Sequence, residues 1–247
     1  MEEEILNYLS KFKLKGMHES FMRQKDTTYQ ALSFEERLFD LLKSEDILRS
    51  NKKITYNLVC SKIKNRQARL EDLDYSSQRG LSKSEIAQII MSYIPNKKNI
   101  IITGPTGVGK SFLSQSLASK SIYDGYTARY YRFFRLLEEV DLAKLDSSYG
   151  NFISKLSRFN ILVIDDFGIN PLTPTQSSVL LDIIEERTEV GSTIITSQLP
   201  VSEWYSYFNN PTVADAILDR LVYNSYKIEL KGESMRKIKS NKRADEK

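Results

Sequence analysis

One octapeptide constrains this chain more than any other feature. Gly104-Pro105-Thr106-Gly107-Val108-Gly109-Lys110-Ser111 fits the pattern G-x-x-x-x-G-K-[ST] at every fixed position. A β-branched run, Asn99 to Thr103, precedes it, and Leu113, Leu117 and Ala118 follow at helical spacing. Strand, glycine loop and helix in that order build a cradle for phosphates. Glycines let the backbone come close to an anion. Successive N–H groups then converge at a helix N-terminus, where the dipole favours negative charge. Lys110 is expected to reach the β- and γ-phosphates of a nucleoside triphosphate, and the Ser111 hydroxyl to ligate Mg2+. The candidate nucleotide-binding run extends from Gly104 to Phe112. An ordinary glycine turn before a helix is the alternative, and the strand–loop–helix context argues against it.

The rest of the C-terminal part repeats the same alternation. Short apolar runs at Ala128–Tyr131, Ile161–Ile164, Thr193–Thr196 and Tyr226–Leu230 are separated by longer amphipathic stretches. Such strands indicate a parallel sheet covered on both faces, an α/β fold. Ile161-Leu162-Val163-Ile164 ends in Asp165-Asp166. Ligands of parallel sheets sit at the C-terminal ends of strands, so this strand is expected to run beside the phosphate-loop strand. Asp165 is the candidate metal ligand and Asp166 the candidate base that orients water. The strand Thr193–Thr196 ends in Ser197-Gln198, with Gln198 the candidate polar contact to the γ-phosphate and Ser197 its near alternative. Arg220 lies in an amphipathic stretch with no acid three or four residues away, which weakens a helix-surface ion pair as its role. An arginine there can stabilise charge on a transferring phosphoryl group, in cis or from a neighbour. Arg236 is a second arginine able to reach nucleotide.

Before Pro95 there is no proline, and the pattern reads as helices. Ser33 and Glu36 have capping-box spacing, and a basic stretch from about Ile54 to Leu70 is expected to be helical. The polar segment Asp72–Ser84 reads as a linker. The division expected is a small all-helical domain over 1–75 and the α/β domain over 76–247. A single cysteine, Cys60, and a single histidine, His18, exclude an internal disulfide and make a structural zinc site improbable; Cys60 reads as a small buried residue. No apolar run approaches the roughly 20 residues of a membrane span, and Glu2-Glu3-Glu4 has the wrong sign for a secretory leader. A cytoplasmic protein with no membrane contact is expected.

Taken together, the motifs resemble those of the IstB-type helper ATPases of bacterial insertion sequences, relatives of DnaC-type helicase loaders within the AAA+ class. The resemblance spans nearly the whole chain. It rests on Leu14-Lys-Gly-Met17, Ser33-Phe-Glu-Glu-Arg37-Leu, Ile47–Lys53, the phosphate loop, Ile164-Asp-Asp-Phe-Gly168, Ile194–Pro200 with Trp204, Asp215–Leu221 and Gly232-Glu-Ser-Met-Arg236. It implies an AAA+ P-loop core behind a helical N-terminal domain, with ATP and Mg2+ as cofactors. Gln198 looks like a sensor residue, Arg220 like an arginine finger acting on a neighbour's ATP, and Arg236 like a second sensor. It implies ATP-dependent self-association on duplex DNA and a cognate transposase as partner. Asp166 stands where many such proteins have Glu, one methylene longer, so slow hydrolysis is expected.

The mildly basic net charge of +4 is compatible with a nucleic-acid partner without demanding one. Arg49, Lys52 and Lys53 lie close together, and Lys62, Arg66 and Arg69 recur at i, i+4 and i+7, a helical face able to contact phosphates. A solvated helix surface is the plainer alternative for both groups; the resemblance favours DNA. Arg129-Tyr-Tyr-Arg132-Phe-Phe-Arg135 reads as a strand entering a helix rather than a stacking platform. Two other functions compete with transposition: a DnaC-like replicative helicase loader and a small-molecule kinase, the latter opposed by the sensor, finger and tail motifs.

Overall fold

A computed structural model describes residues 1–208 and 210–238. The chain divides into two compact units, Met1–Asn57 and Leu58–Lys247.

The first unit holds α1 (Glu2–Lys11), α2 (Lys15–Arg23) and most of α3 (Phe34–Cys60). The capping box forms: Ser33 N–H donates to Glu36 Oε2 at 2.8 Å, and Glu36 N–H to Ser33 Oγ at 3.2 Å. Gly16 lets α2 meet α3 closely, since a Cβ there would lie 2.5 Å from the Ser44 carbonyl oxygen. The Glu45 carboxylate caps the start of α2, accepting from Gly16 N–H at 2.7 Å and Met17 N–H at 3.2 Å. Arg49 is tied to the same carboxylate at 2.7 Å. The Leu14–Met17 motif is thus a close crossing of two helices.

The second unit contains α4 (Lys83–Ser92), β1 (Asn99–Thr103), α5 (Lys110–Tyr123), β2 (Ala128–Arg132), α6 (Phe133–Leu145), α7 (Tyr149–Ser157), β3 (Ile161–Phe167), α8 (Pro174–Arg187), β4 (Ser192–Ser197), α9 (Trp204–Tyr207), α10 (Pro211–Leu218) and β5 (Ser225–Glu229). The five strands are all parallel, in the order β2-β3-β4-β1-β5. Ile101, Tyr131, Leu162, Ile164 and Ile195 point to one face, packing with buried residues of α6, α7, α8 and α10. Alternate strand residues turn to the opposite face, which α5 covers. Among the described residues no helix is long and apolar enough to cross a membrane.

Several expectations need correction. The strand bearing the two acids does not lie beside the phosphate-loop strand: β4 runs between β1 and β3. The basic stretch is not helical to Leu70, because α3 ends at Cys60. Ser61 Oγ donates to the Leu58 carbonyl and accepts from Ile63 N–H, closing the turn, and Lys62 takes a φ of 58°. The chain then lays Ile63, Ala68 and Leu70 into the core, while Asn65 N–H donates to Gln115 Oε1 of α5 at 2.9 Å. Lys62, Arg66 and Arg69 therefore share no helical face, although all three are exposed. The same packing puts the division between units after Asn57 rather than near residue 75. Finally, Asp72–Ser84 is no free linker: Leu81 and Arg79 are buried in it. Cys60 is half-buried rather than buried.

Candidate nucleotide site

Thr103 ends β1, and the loop Gly104–Gly109 leads directly into α5 at Lys110. Gly104 and Gly107 have φ of 142° and 81°, conformations that side chains rarely adopt. Both also lie under the chain's tail. A Cβ on Gly104 would stand 2.2 Å from the Leu230 carbonyl oxygen, and one on Gly107 would stand 2.3 Å from Ser234 Oγ. Leu230 N–H donates to the Thr103 carbonyl at 2.8 Å, and Met235 N–H to the Gly107 carbonyl at 2.9 Å.

Lys110 is buried, and its ammonium donates to the loop's own carbonyls, Gly104 at 2.7 Å and Pro105 at 2.9 Å. Among the described residues no carboxylate lies within ion-pair distance of it. Burial pushes its pKa down, opposed by the negative charges of Asp166 and Asp165. A buried cation with only carbonyl partners at the mouth of a glycine loop suits a bound phosphate.

Asp165 is buried and Ser111 Oγ donates to its Oδ1 at 3.0 Å. Thr196 of β4 also donates to Oδ1, and Tyr130 of β2 donates to Oδ2 at 2.5 Å. Burial, reinforced by the charge of Asp165, pushes the Tyr130 phenol well above its ordinary value, so it remains a donor. The β3–β4 register slips between Ile164 and Phe167, and at that bulge Asp166 has a φ of 62°. Such a conformation costs about 1–3 kcal/mol and tends to occur where it re-aims a side chain. Here the slip separates the roles of two adjacent acids. Asp165 faces Ser111, whereas Asp166 is half-buried and faces Arg132, with Nε to Oδ2 at 3.5 Å. Burial pushes the Asp166 carboxyl up, Asp165 adds to this, and Arg132 and Lys110 oppose it.

Gln198 comes to the loop, its Oε1 accepting from Thr106 Oγ1 at 2.6 Å. Ser197 is buried and accepts from Leu199 N–H, so it serves the turn instead. Thr106–Phe112, Asp166, Gln198 and Arg236 line one pocket. The rest of its lining comes from the tail, with Leu230 and Met235, and from the segment read as a linker, with Leu73, Asp74, Arg79 and Leu81. Arg79 joins that segment to the tail. It pairs with Asp74 at 3.1 Å, donates to the Glu233 carbonyl at 2.7 Å and contacts Met235, and its own carbonyl accepts from Lys231 N–H.

Arg220 is elsewhere. Its carbonyl accepts from Asn99 Nδ2 at the start of β1, the end opposite the phosphate loop. Its guanidinium pairs with Glu185 of α8 at 2.9 Å and donates to the Ala216 carbonyl. Its acid partner is therefore Glu185, 35 residues away in sequence. Of the basic candidates, Lys62 pairs with Glu139 at 2.6 Å, while Lys52 and Lys53 are exposed on α3. Thr196, Tyr130, Arg132 and Arg79 escaped the sequence reading. Thr196 carries the one available signal, a hydroxyl on the strand before Gln198; the others depend on strand order or on contacts remote in sequence.

This donor set can hold a triphosphate and one divalent ion. Among the described residues no cluster of three or more His, Cys, Asp or Glu forms a metal cage. Ser111 and Asp165 instead form the incomplete kind of site that suits Mg2+ shared with substrate phosphates.

Comparisons with known proteins support the binding of a nucleotide. The chain is 39% identical to a putative insertion sequence ATP-binding protein of Sinorhizobium fredii, over 96% of this chain and 97% of that one. It is 36% identical to an insertion sequence putative ATP-binding protein of Pseudomonas fluorescens, over 82% and 88%. Among solved structures it is similar to that of DnaI, with a TM-score of 0.57 and 19% identity over 67% of this chain and 92% of that one. It is similar to the DnaC helicase loader as well, with 0.54 and 21% over 68% and 99%. The structural likenesses concern the fold, an AAA+ P-loop core. A family model described as IstB-like ATP binding protein matches residues 7–244, and with these relatives it shows that the chain belongs to the IstB-like ATP binding protein family of insertion sequences.

Proposed function

We infer that this chain is an ATP-hydrolysing, DNA-binding AAA+ protein of the cytoplasm that assembles on duplex target DNA, remodels it and activates a cognate transposase. The observation that carries the reading is the convergence of Lys110, Ser111, Asp165, Asp166 and Gln198 at one loop mouth, in a chain whose relatives are named for insertion sequences. Lys110 binds the β- and γ-phosphates, and Ser111 with Asp165 holds Mg2+. The ion, when bound, neutralises charge on the phosphate oxygens. Asp166 orients a water and accepts its proton as the oxygen attacks the γ-phosphorus and the bond to ADP breaks. Its short side chain at a strained position supports slow turnover; rates typical of fast motor ATPases would contradict this. Gln198 contacts the γ-phosphate and Arg236 the nucleotide. Arg220, turned away from its own loop, serves a neighbour's site, which supports an assembly that ATP binding builds and hydrolysis dissolves. Exposed Arg49, Lys52, Lys53, Arg66 and Arg69, with Lys62, supply salt-dependent phosphate contacts.

The DnaI and DnaC likeness favours a second reading, a helicase loader. Sedimentation with Mg·ATP and duplex DNA, single-stranded DNA or no DNA separates the two, with Lys110→Ala as control. Large assemblies only with ATP and duplex are expected. Preference for single strands, or no assembly without a helicase, supports the loader.

A further inference from the structure

The two strands that flank β3 each contribute one hydroxyl to the same buried carboxylate. Tyr130 on β2 donates to Asp165 Oδ2 at 2.5 Å, and Thr196 on β4 donates to Oδ1. All three side chains are nearly inaccessible, at 4%, 0% and 1% exposure. Asp165 has no room to exchange these donors for water. Thr196 does a second thing: its oxygen accepts from Asp166 N–H at 3.1 Å, the amide at the bulge. One hydroxyl thus bridges the side chain of the first acid and the backbone of the second. The bulge leaves Asp166 N–H without its regular ladder partner, and Thr196 satisfies it.

A carboxylate on a free rotor offers either oxygen, at varying angles, to an incoming ion. Here Oδ2 is engaged by the phenol, and Oδ1 is turned toward Ser111. We propose that Tyr130 and Thr196 are positioning residues that hold the Asp165 carboxylate in the one orientation able to share Mg2+ with Ser111. Thr196 also fixes the backbone from which Asp166 projects. Partners that orient a ligand in this way typically change metal affinity by about 10–100-fold when removed. The inference rests on the Mg·ATP reading of the site.

The test is binding of a fluorescent ATP analogue to the full chain, titrated with Mg2+ and repeated in EDTA. Tyr130→Phe and Thr196→Val keep shape and remove the hydroxyl; Thr196→Ser keeps the hydroxyl. Thermal melting confirms folding, and Asp165→Asn reports loss of the ligand itself. Both hydroxyl deletions should raise the Mg2+ needed for half-maximal binding by about 10-fold or more, with EDTA binding unchanged and Thr196→Ser close to wild type. Unchanged Mg2+ dependence in both deletions overturns the positioning role, as does equal weakening with and without Mg2+. If Tyr130→Phe fails to fold, the Thr196→Val and Thr196→Ser pair decides. Absence of Mg2+-dependent binding in the wild type would overturn the reading of the site itself.

Discussion

Arg220→Ala and Asp166→Asn should each silence hydrolysis, yet mixing them should restore part of it. The reasoning is geometric. Arg220 is anchored where β1 begins and the phosphate loop starts where it ends, four strand steps away. At ~3.3 Å per residue the two lie about 13 Å apart along the strand alone. The guanidinium is directed to Glu185 on α8, so one subunit cannot place it on its own γ-phosphate. In a head-to-tail assembly each site therefore combines one subunit's loop with the next subunit's arginine. Losing the arginine should cost about a thousand-fold or more. In an equal mixture, a site is intact when an Arg220→Ala subunit supplies Asp166 and an Asp166→Asn subunit supplies Arg220. Random assembly into a closed ring makes about one quarter of sites intact. Phosphate release at constant total protein, with ATP and duplex DNA, should recover to about a quarter of wild type. Recovery to no more than the mean of the separate variants would refute action in trans, provided sedimentation shows that both variants co-assemble. Impaired nucleotide binding by monomeric Arg220→Ala would refute it as well.

Three further outcomes follow from particular contacts. Gly104→Ala forces a Cβ to 2.2 Å from the Leu230 carbonyl at a φ of 142°, so nucleotide binding should be lost by calorimetry; retained affinity would contradict the close approach of the tail. Gly16→Ala drives a Cβ against the backbone of α3 and should destabilise the Met1–Asn57 unit by about 1–3 kcal/mol in urea unfolding; an unchanged midpoint would refute that packing. Burial pushes the Glu45 carboxyl up, but Arg49 and the N–H groups of Met17 and Gly16 outweigh it and hold the pKa below its ordinary value. Its charge then stabilises the fold above the unfolded carboxylate range and ceases to do so as pH falls through the lower folded value. Glu45→Gln should lower stability near neutral pH and converge with wild type in acid; a gap that does not vary with pH would refute this.

Local chemistry was legible in the sequence, and strand order was not. The phosphate loop, the Asp165-Asp166 strand end and the Ser33 capping box each depend on residues a few positions apart, and each appears where the spacing places it. The neighbour of β1 depends on how far crossovers carry the chain, so β4 came between β1 and β3 without a local signal. Ile63, Ala68 and Leu70 lie in a stretch read as helical but are used to cover the core beyond a helix that Ser61 ends. The polarity of Asp72–Ser84 suggested solvent, whereas its Arg79 is buried against a tail 154 residues away. Arg220 was found as a candidate, but its partner Glu185 lies on another helix and has no sequence signature.

That clasp between Arg79 and Glu233 also has a timetable. The phosphate loop leaves the ribosome long before the tail that closes over it has been made. At ~5–20 residues per second, translating the 128 residues from Gly107 to Met235 takes roughly 6–26 s. For that interval the nascent chain carries a glycine loop without its cover and a pocket without Arg236. If ATP builds the assembly as proposed, the chain joins it only after the segment that brings Arg236 to the pocket has emerged.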